Sequence, residues 1–357
     1  MGKDLLNDRY GRFYELPKEF VRLGHDVTAV CLLYRGLENN DRIISNTERV
    51  SWHSYSISSI GSKGIVSWWR KLNSLGESFQ PDLILAWSDA VQIILGSFLA
   101  RKLNRPLAVD LYDNFESYGQ CKIPGVLPLF RRAVRQAKLI SCISPELGQL
   151  VEQRYRPKGE IITIENAVPE GFSRNEDKET SRTKLGLKDN VKYVGTAGAL
   201  DPSRSISDLI RAFQSMTQED KNVHLVLAGP LSKDIELHEN DRIHYLGELD
   251  YSEIPRLYNA LDVGVICNKD SAFGKYCFPQ KAYEMIVCRI PVVAADVGVM
   301  HRLFARFPNN LYKSGNQLDL KYKIQQQLNN PILTELPVPT WNTQAKVMAS
   351  KLKNLAL

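Results

Sequence analysis

The second half of the chain holds the densest collection of residues suited to chemistry. Residues 273–298 read FGKYCFPQKAYEMIVCRIPVVAADVG: a loop with glycine and proline, a short stretch with one carboxylate, Glu284, and an apolar run ending in Asp-Val-Gly. A carboxylate in the first turns of a helix that faces a cleft suits bidentate hydrogen bonding to a ribose diol, and its ionised form benefits from the helix N-terminus. Upstream, residues 195–206 read GTAGALDPSRSI, leaving an apolar run, carrying Gly195 and Gly198, and entering a helix whose Ser205 and Asp208 fit a capping box. Glycines permit close backbone approach, a helix start offers unpaired N–H groups, and Arg204 can neutralise a diphosphate. Taken alone, the loop is equally a glycine turn beside a surface arginine, and an isolated Glu284 is equally a solvated helix glutamate. The loop is not G-x-G-x-x-G, and no P-loop ending in Gly-Lys-Ser or Gly-Lys-Thr occurs, so dinucleotide and P-loop readings lose ground.

The elements that must position these residues alternate in type. Apolar runs at 25–33, 49–57, 82–87, 107–112, 139–143 and 161–164 read as strands. Between them, 12–23 carries Phe13, Leu16, Phe20 and Leu23 at helical spacing, with Gly24 as its C-cap and Pro17 inside it. Residues 166–190 are charged and almost free of apolar periodicity, as expected of an exposed connection. The alternation restarts with strands at 191–196, 223–228, 243–246, 261–266 and 291–294 and helices at 206–215, 252–260, 280–287 and 317–328. This pattern implies parallel strands covered by helices, hence two consecutive open α/β sheets with a cleft between them. A length of 357 residues fits two domains. The expected boundaries are a first domain over 1–168, a linker over 169–189, a second domain over 190–335 and a terminal helix within 336–357.

The formal charge of +6 favours anionic partners, whether sugar nucleotides, phospholipid surfaces or nucleic acid, without selecting among them. No base-reading motif accompanies it, which argues against nucleic acid. The six cysteines form no C-x-x-C pair, and Cys31, Cys142, Cys267 and Cys288 lie in or beside apolar runs, so buried free thiols in a reducing compartment are expected. The polar start lacks the apolar core of a signal peptide, and no apolar run approaches the roughly 18 residues of a membrane span. The expected location is cytoplasmic, at most peripheral at the inner membrane face. Two basic-aromatic stretches, 66–72 and 130–138, are the candidates for such contact. Because Trp68, Leu72, Leu75 and Phe79 share one helix face, Trp68 reads as core in preference to a lipid anchor.

Residues 273–298 resemble the donor-site signature of glycosyltransferase family 4, a retaining family with the fold called GT-B. There the pattern runs approximately E-x7-E, a small helix, then G-x-P-V-V-A-x-D-x-G. Glu284 matches the second glutamate, and Pro291, Val292, Val293, Asp296 and Gly298 match the positions beyond the small helix. Pro279, Lys281 and Glu284 look like the family's P-x-K-x-x-E variant. Similar pieces recur in order along nearly the whole chain: GHDVT at 24–28, IENAV at 164–168, LVLAGP at 225–230, Leu246-Gly247 followed by LYNALDV at 257–263, and Trp341 opening a last helix.

The resemblance implies an α/β architecture of two Rossmann-like domains facing each other across a cleft, with the C-terminal helix crossing back to the first. It implies transfer of a sugar from a nucleoside diphosphate sugar to an acceptor hydroxyl, with retention and without a metal, in polysaccharide, glycolipid or other glycoconjugate biosynthesis. The donor-binding residues it points to are Gly11, Gly198, Arg204, Gly229, Tyr276, Lys281 and Glu284; the catalytic ones are Asp113, Arg204 and Glu284. No cofactor is expected beyond the nucleotide sugar, and the acceptor would be a saccharide or a lipid-linked saccharide. Asp113 is chosen from Asp110, Tyr112, Asp113, Asn114 and Glu116 because a His or Asp near this strand end often sits beside the family's reacting centre. Gly11 matches the place of the glycine-containing loop beneath the donor phosphates, with Arg12 a weaker contact.

The chain departs from the family pattern at three positions. Tyr276 occupies the place of the first glutamate, which normally touches donor sugar hydroxyls. Ala199 stands where many members carry an arginine, and Arg204 replaces a lysine, so Arg204 is expected to carry more of the diphosphate charge than a pair of cations would require. Two other functions share this reading: a non-hydrolysing sugar-nucleotide 2-epimerase, and a nucleotide-sugar-binding subunit without catalysis. The family also has a buried strand before its glycine-containing loop, whereas residues 1–11 read as the loop itself. The expectation is a chain shortened at its N-terminus, with strand 25–33 lacking its inner neighbour.

Overall fold

A computed structural model describes residues 11–33, 42–45, 50–56, 62–173, 176–237 and 240–356. The chain divides into two compact units, Met1–Pro169 with Pro339–Leu357, and Glu170–Val338. Both are α/β.

The first unit opens with α1 (Arg12–Arg22), followed by β1 (Val27–Leu33), β2 (Arg42–Ser45) and β3 (Val50–Ser56). These strands form one sheet with β3 in the middle, parallel to β1 and antiparallel to β2. After α2 (Ser62–Phe79), the chain alternates through β4 (Ile84–Ala86), α3 (Ala90–Lys102), β5 (Leu107–Leu111), α4 (Val126–Gln136), β6 (Leu139–Cys142), α5 (Pro145–Tyr155) and β7 (Glu160–Thr163). The strands β4-β5-β6-β7 make a second, wholly parallel sheet. Every residue of β5 and β6 is buried, as a parallel strand covered on both faces requires. Among the described residues β1 pairs with β3 alone and no strand joins the two sheets; the residues of the expected glycine-containing loop before Gly11 lie outside those described. The antiparallel β2 was not foreseen, since its four residues show no apolar alternation longer than a pair.

In the second unit come α6 (Lys178–Lys184), β8 (Lys192–Ala197), α7 (Ile206–Met216), β9 (Val223–Ala228), β10 (Ile243–Tyr245), α8 (Ile254–Ala260) and β11 (Val263–Ile266). Then come α9 (Lys281–Val287), β12 (Val292–Ala295), α10 (Val299–Leu303), β13 (Leu311–Tyr312) and α11 (Gln317–Asn329). All six strands are parallel, in the order β10-β9-β8-β11-β12-β13. This is the doubly wound dinucleotide-fold order, and its direction of winding reverses between β8 and β11. Ligands bind such sheets beyond the strand carboxyl ends at that switch point, which here means the turns after Ala197 and Ile266.

The linker expected at 169–189 is corrected. Residues 178–184 are the helix α6 of the second unit, docked by charge instead of an apolar face. Arg182 is buried and donates to the carbonyl of Ala260 (3.0 Å), the carbonyl of Asp189 (2.8 Å) and Asp262 (2.7 Å), while Lys178 reaches the other Asp262 oxygen at 2.7 Å. Asp262 also accepts the backbone N–H of Tyr193 at 2.7 Å, which ties α6 to the first strand of the sheet. Hydrophobic periodicity is blind to such an anchor.

The last helix, α12 (Trp341–Ala356), returns to the first unit. Trp341, Ala345 and Met348 share a buried cluster with Leu16 and Phe20 of α1, and Asn342 donates to Glu19 at 2.8 Å. Trp68 is buried with Leu72 and Leu99, as its place on the helix face implies, while Phe79 at the end of the same stripe is exposed. All six cysteines are free thiols, with Cys277 buried and Cys31 only half-buried, the reverse of what their flanking residues suggest.

Candidate functional site

The turn after β8 carries Gly198 at φ +104°, and the turn after β9 carries Gly229 at φ +120°. The two press together: a Cβ on Gly229 would stand 2.2 Å from the Gly198 carbonyl oxygen. The Gly229 N–H is already bonded to the Gly247 carbonyl at 2.7 Å, and the Tyr245 hydroxyl donates to its carbonyl at 3.0 Å. Gly229 therefore shapes the Gly198 turn from behind and presents no N–H of its own. Gly229→Ala combines a left-handed φ with a backbone clash and is expected to cost at least about 1–3 kcal/mol of stability in the second unit; a change below this range in denaturant unfolding would show that the turns can separate.

Lys281 lies against that turn, and Arg204 is near enough for its charge to act on Lys281. Lys281, at the start of α9, donates to Thr196 Oγ1 at 3.3 Å, and its Nζ lies 3.5 Å from where a Gly198 side chain would begin. Burial, and then the charge of Arg204, lower the Lys281 ammonium to about 8. The Arg204 guanidinium lies 4.7 Å from the Phe273 ring centroid and 3.7 Å from Cys277 Sγ. Among the described residues neither cation has an ion-pair partner, although most buried or half-buried cations of this chain do. A cation with no carboxylate beside it keeps its charge for a ligand.

Ala199 brings no side-chain charge to the turn, and the second expected cation, Lys281, comes to it from α9, nearly eighty residues further along the chain than Arg204. The expected capping box is also absent: Ser205 is left-handed at φ 53°, with no side-chain hydrogen bond to α7, and Asp201 instead caps the short turn before it by accepting from Ser203 N at 2.8 Å.

One turn after Lys281 stands Glu284, 6 % exposed. Its Oε1 accepts from Tyr251 (3.0 Å) and Gln280 (2.9 Å), and its Oε2 from Tyr258 (3.1 Å). Burial pushes the Glu284 carboxyl above its ordinary range, and the hydrogen bonds from Tyr251, Tyr258 and Gln280 oppose that rise. Tyr276 is half-buried in the loop that also supplies Phe273 and Cys277. Gly274 and Gly298 fold that loop tightly, since a Cβ on either would meet the carbonyl oxygen of Lys269 or Lys275 within 2.2 Å.

Of the expected residues, Gly198, Arg204, Lys281 and Glu284 thus belong to one arrangement at the switch point, with Gly229 behind it and Tyr276 in its loop. The partners Tyr251, Tyr258, Gln280 and Phe273 were not foreseen. Tyr258 lay within a recognised motif, but nothing in the sequence shows which way a phenol points.

The remaining candidates lie in the first unit. Gly11 is buried at φ +80° and caps α1. Arg12, the weaker phosphate candidate, is engaged within the first unit: it is 5 % exposed, donates twice to Asp110 (2.7 and 2.6 Å) and reaches the Ile164 carbonyl at 2.7 Å. Asp113, just beyond β5, is 5 % exposed and accepts from the Tyr118 hydroxyl at 2.8 Å. Burial, then the charge of Asp113, raises the Tyr118 phenol far above its ordinary range, so it remains a donor. Among the described residues no group of three metal-ligating side chains occurs, and no helix is long and apolar enough to cross a membrane.

Comparison with known proteins bears on the family and the fold. The family "Glycosyl transferases group 1" matches residues 177–339, and "Glycosyltransferase Family 4" matches residues 12–171. The chain is 25% identical over 223 residues to alpha-monoglucosyldiacylglycerol synthase of Streptococcus pneumoniae, covering 57% of this chain and 50% of that protein. It is 25% identical over 173 residues to D-inositol 3-phosphate glycosyltransferase of Mycobacterium marinum, covering 45% of this chain and 35% of that one. The chain therefore spans half or less of the length of these curated relatives. In fold it is similar to sucrose-phosphate synthase from Thermosynechococcus elongatus (TM-score 0.75, 16% identity, 96% of this chain and 92% of that one). It is likewise similar to Anabaena HepE in complex with UDP-glucose (TM-score 0.65, 20% identity, 91% and 94%). The two matched families, met in order along the chain and on the doubly wound sheet they require, establish that the chain belongs to the glycosyltransferases of family 4 type, with the GT-B fold.

Proposed function

We propose that this chain transfers a sugar from a nucleoside diphosphate sugar to an acceptor hydroxyl with retention of the anomeric configuration. The observation that carries the reading is the cation pair Arg204 and Lys281, without ion-pair partners among the described residues, over the Gly198 turn at the sheet's switch point. A departing nucleoside diphosphate gains negative charge as the glycosidic bond lengthens, and preorganised donors aimed at that charge are the main requirement of catalysis. Glu284, on the same helix as Lys281, would receive the ribose hydroxyls. Support from outside the chain comes from fold neighbours whose structures hold UDP and UDP-glucose.

On this reading the diphosphate is held by the cation pair without a metal, and Asp113 serves the acceptor side. A peripheral membrane contact has its best support at the start of α4, where Ile123 and Leu129 are 55% and 40% exposed beside the exposed Lys122 and Arg132. Such a surface suits anionic headgroups over a lipid-linked acceptor. Of the second basic stretch, Phe130 is buried, Arg131 pairs with Glu116 and Arg135 bonds the Tyr155 carbonyl, which leaves the exposed Arg132 and Lys138 to carry its outward charge.

The test is incubation with a panel of UDP-, GDP- and ADP-sugars and simple glycoside or glycolipid acceptors, with the product's anomeric configuration read by NMR. Transfer with retention, undiminished in excess EDTA, is expected. Inversion, or loss on chelation restored by Mn²⁺ or Mg²⁺, would contradict the mechanism; epimerisation of a UDP-sugar without acceptor would contradict the reaction.

A further inference from the structure

Glu284 poses a physical problem. A carboxylate removed from water loses several kcal/mol of hydration and tends to take up a proton instead. A protonated Glu284 would offer a ribose diol one fewer acceptor and no charge. The charge of Lys281, one turn earlier, favours the ionised form, and three neutral donors bond the carboxylate directly. Tyr258 is 1% exposed in α8 and donates to Oε2 at 3.1 Å. Tyr251, in the turn before α8, donates to Oε1 at 3.0 Å, and Gln280 donates both to that oxygen (2.9 Å) and to the Tyr251 hydroxyl (3.0 Å), closing a triangle. The Tyr251 ring is in turn set against Phe172, with centroids 5.4 Å apart. A carboxylate has about four lone-pair sites. Three donors fill three of these sites and leave the carboxylate a place for a ligand hydroxyl.

We propose that Tyr251, Tyr258 and Gln280 are positioning residues that hold the buried Glu284 carboxylate charged and fixed in one orientation for the nucleoside. The inference rests on the donor-site reading for its functional consequence, but the cage can be measured without any ligand. The Tyr258 phenol suits the task. Burial, and then the charge of Glu284 itself, push Tyr258 well above its ordinary range, so it cannot surrender its proton to the carboxylate. Removing one phenol leaves the carboxylate buried with one donor fewer, so its protonated form gains.

The experiment follows the Glu284 carboxyl carbon by NMR during a pH titration of the ligand-free protein, native and as Tyr251→Phe and Tyr258→Phe. Affinity for UDP, GDP and ADP is measured by calorimetry in mildly acidic and mildly alkaline buffer. Each substitution is expected to raise the proton affinity of Glu284 about tenfold. Nucleotide affinity should then fall several-fold in acidic buffer and little in alkaline buffer, where the carboxylate is ionised in every variant. Tyr251 is half-buried, so its variant keeps the test open if Tyr258→Phe does not fold. An unmoved titration midpoint in Tyr251→Phe, or an affinity loss equal at both pH values, overturns the proposal. Shifted midpoints in a protein that binds none of the nucleotides would keep the cage and sink the donor reading instead.

Discussion

Asp110→Ala is expected to destabilise the first unit by about 3–5 kcal/mol. Asp110 is fully buried at the carboxyl end of β5, where it accepts two bonds from Arg12 and one from the Ser141 hydroxyl. The same Arg12 bonds the Ile164 and Glu165 carbonyls at the end of β7. The pair thus fastens the start of α1 to two strands of the parallel sheet. Truncating Asp110 leaves a guanidinium buried with a single acceptor side, and an uncompensated buried charge is what makes such losses large. Replacing both partners, Arg12→Met with Asp110→Leu, removes the charge altogether and should recover a good part of the loss. Denaturant unfolding followed by circular dichroism checks this, read on the transition of the first unit. A loss below about 1 kcal/mol for Asp110→Ala would mean that water reaches Arg12 and relieves it.

The second large effect concerns the phosphates. Arg204→Ala and Lys281→Met are each expected to weaken nucleoside diphosphate binding by roughly tenfold to a hundredfold, as the loss of a charge-assisted hydrogen bond of about 1.5–3 kcal/mol implies. Affinity for the bare nucleoside should change little in alkaline buffer, where Glu284 is ionised with or without the Lys281 charge that favours that form. Lys281 adds a signature of its own. In the free protein its ammonium lies at about 8, lowered by burial and by Arg204. Above that pH a growing share of molecules carries a neutral amine, and a diphosphate that needs the cation must draw a proton from solvent. Proton uptake should therefore accompany binding in alkaline buffer, visible as a dependence of the calorimetric heat on the buffer's ionisation enthalpy, and should vanish in Lys281→Met. Equal losses for nucleoside and nucleoside diphosphate would place the cations away from the phosphates.

Much of this is legible in the sequence. Strands such as β5, β9 and β12 are continuous apolar runs of the right length, and the segment from Pro279 to Gly298 carries enough motif positions to place Lys281 and Glu284 on one helix. The features that escape have a common cause. The docking of α6 through Arg182 and Asp262, the engagement of Arg12 with Asp110, and the phenols around Glu284 are all polar contacts between residues distant in sequence. Periodicity reports which face of an element is apolar; it carries no information about which buried charge meets which. Arg204 and Lys281 are both legible as cations for the diphosphate, but the place of Lys281 beside Thr196 and the Gly198 turn is not. The failed capping box at Ser205 is different, a local signal overridden because Asp201 captures the turn first.

The measurement that bears most directly on the central claim is calorimetric titration of native protein and Glu284→Ala with UDP, GDP and ADP, in excess EDTA. One of the three nucleotides is expected to bind the native protein without metal and to bind Glu284→Ala at least about tenfold more weakly, in keeping with the loss of hydrogen bonds to a charged group. Native protein that binds none of them, or a variant that binds as tightly as the native chain, would contradict the assignment of the donor site to the switch point of the second sheet.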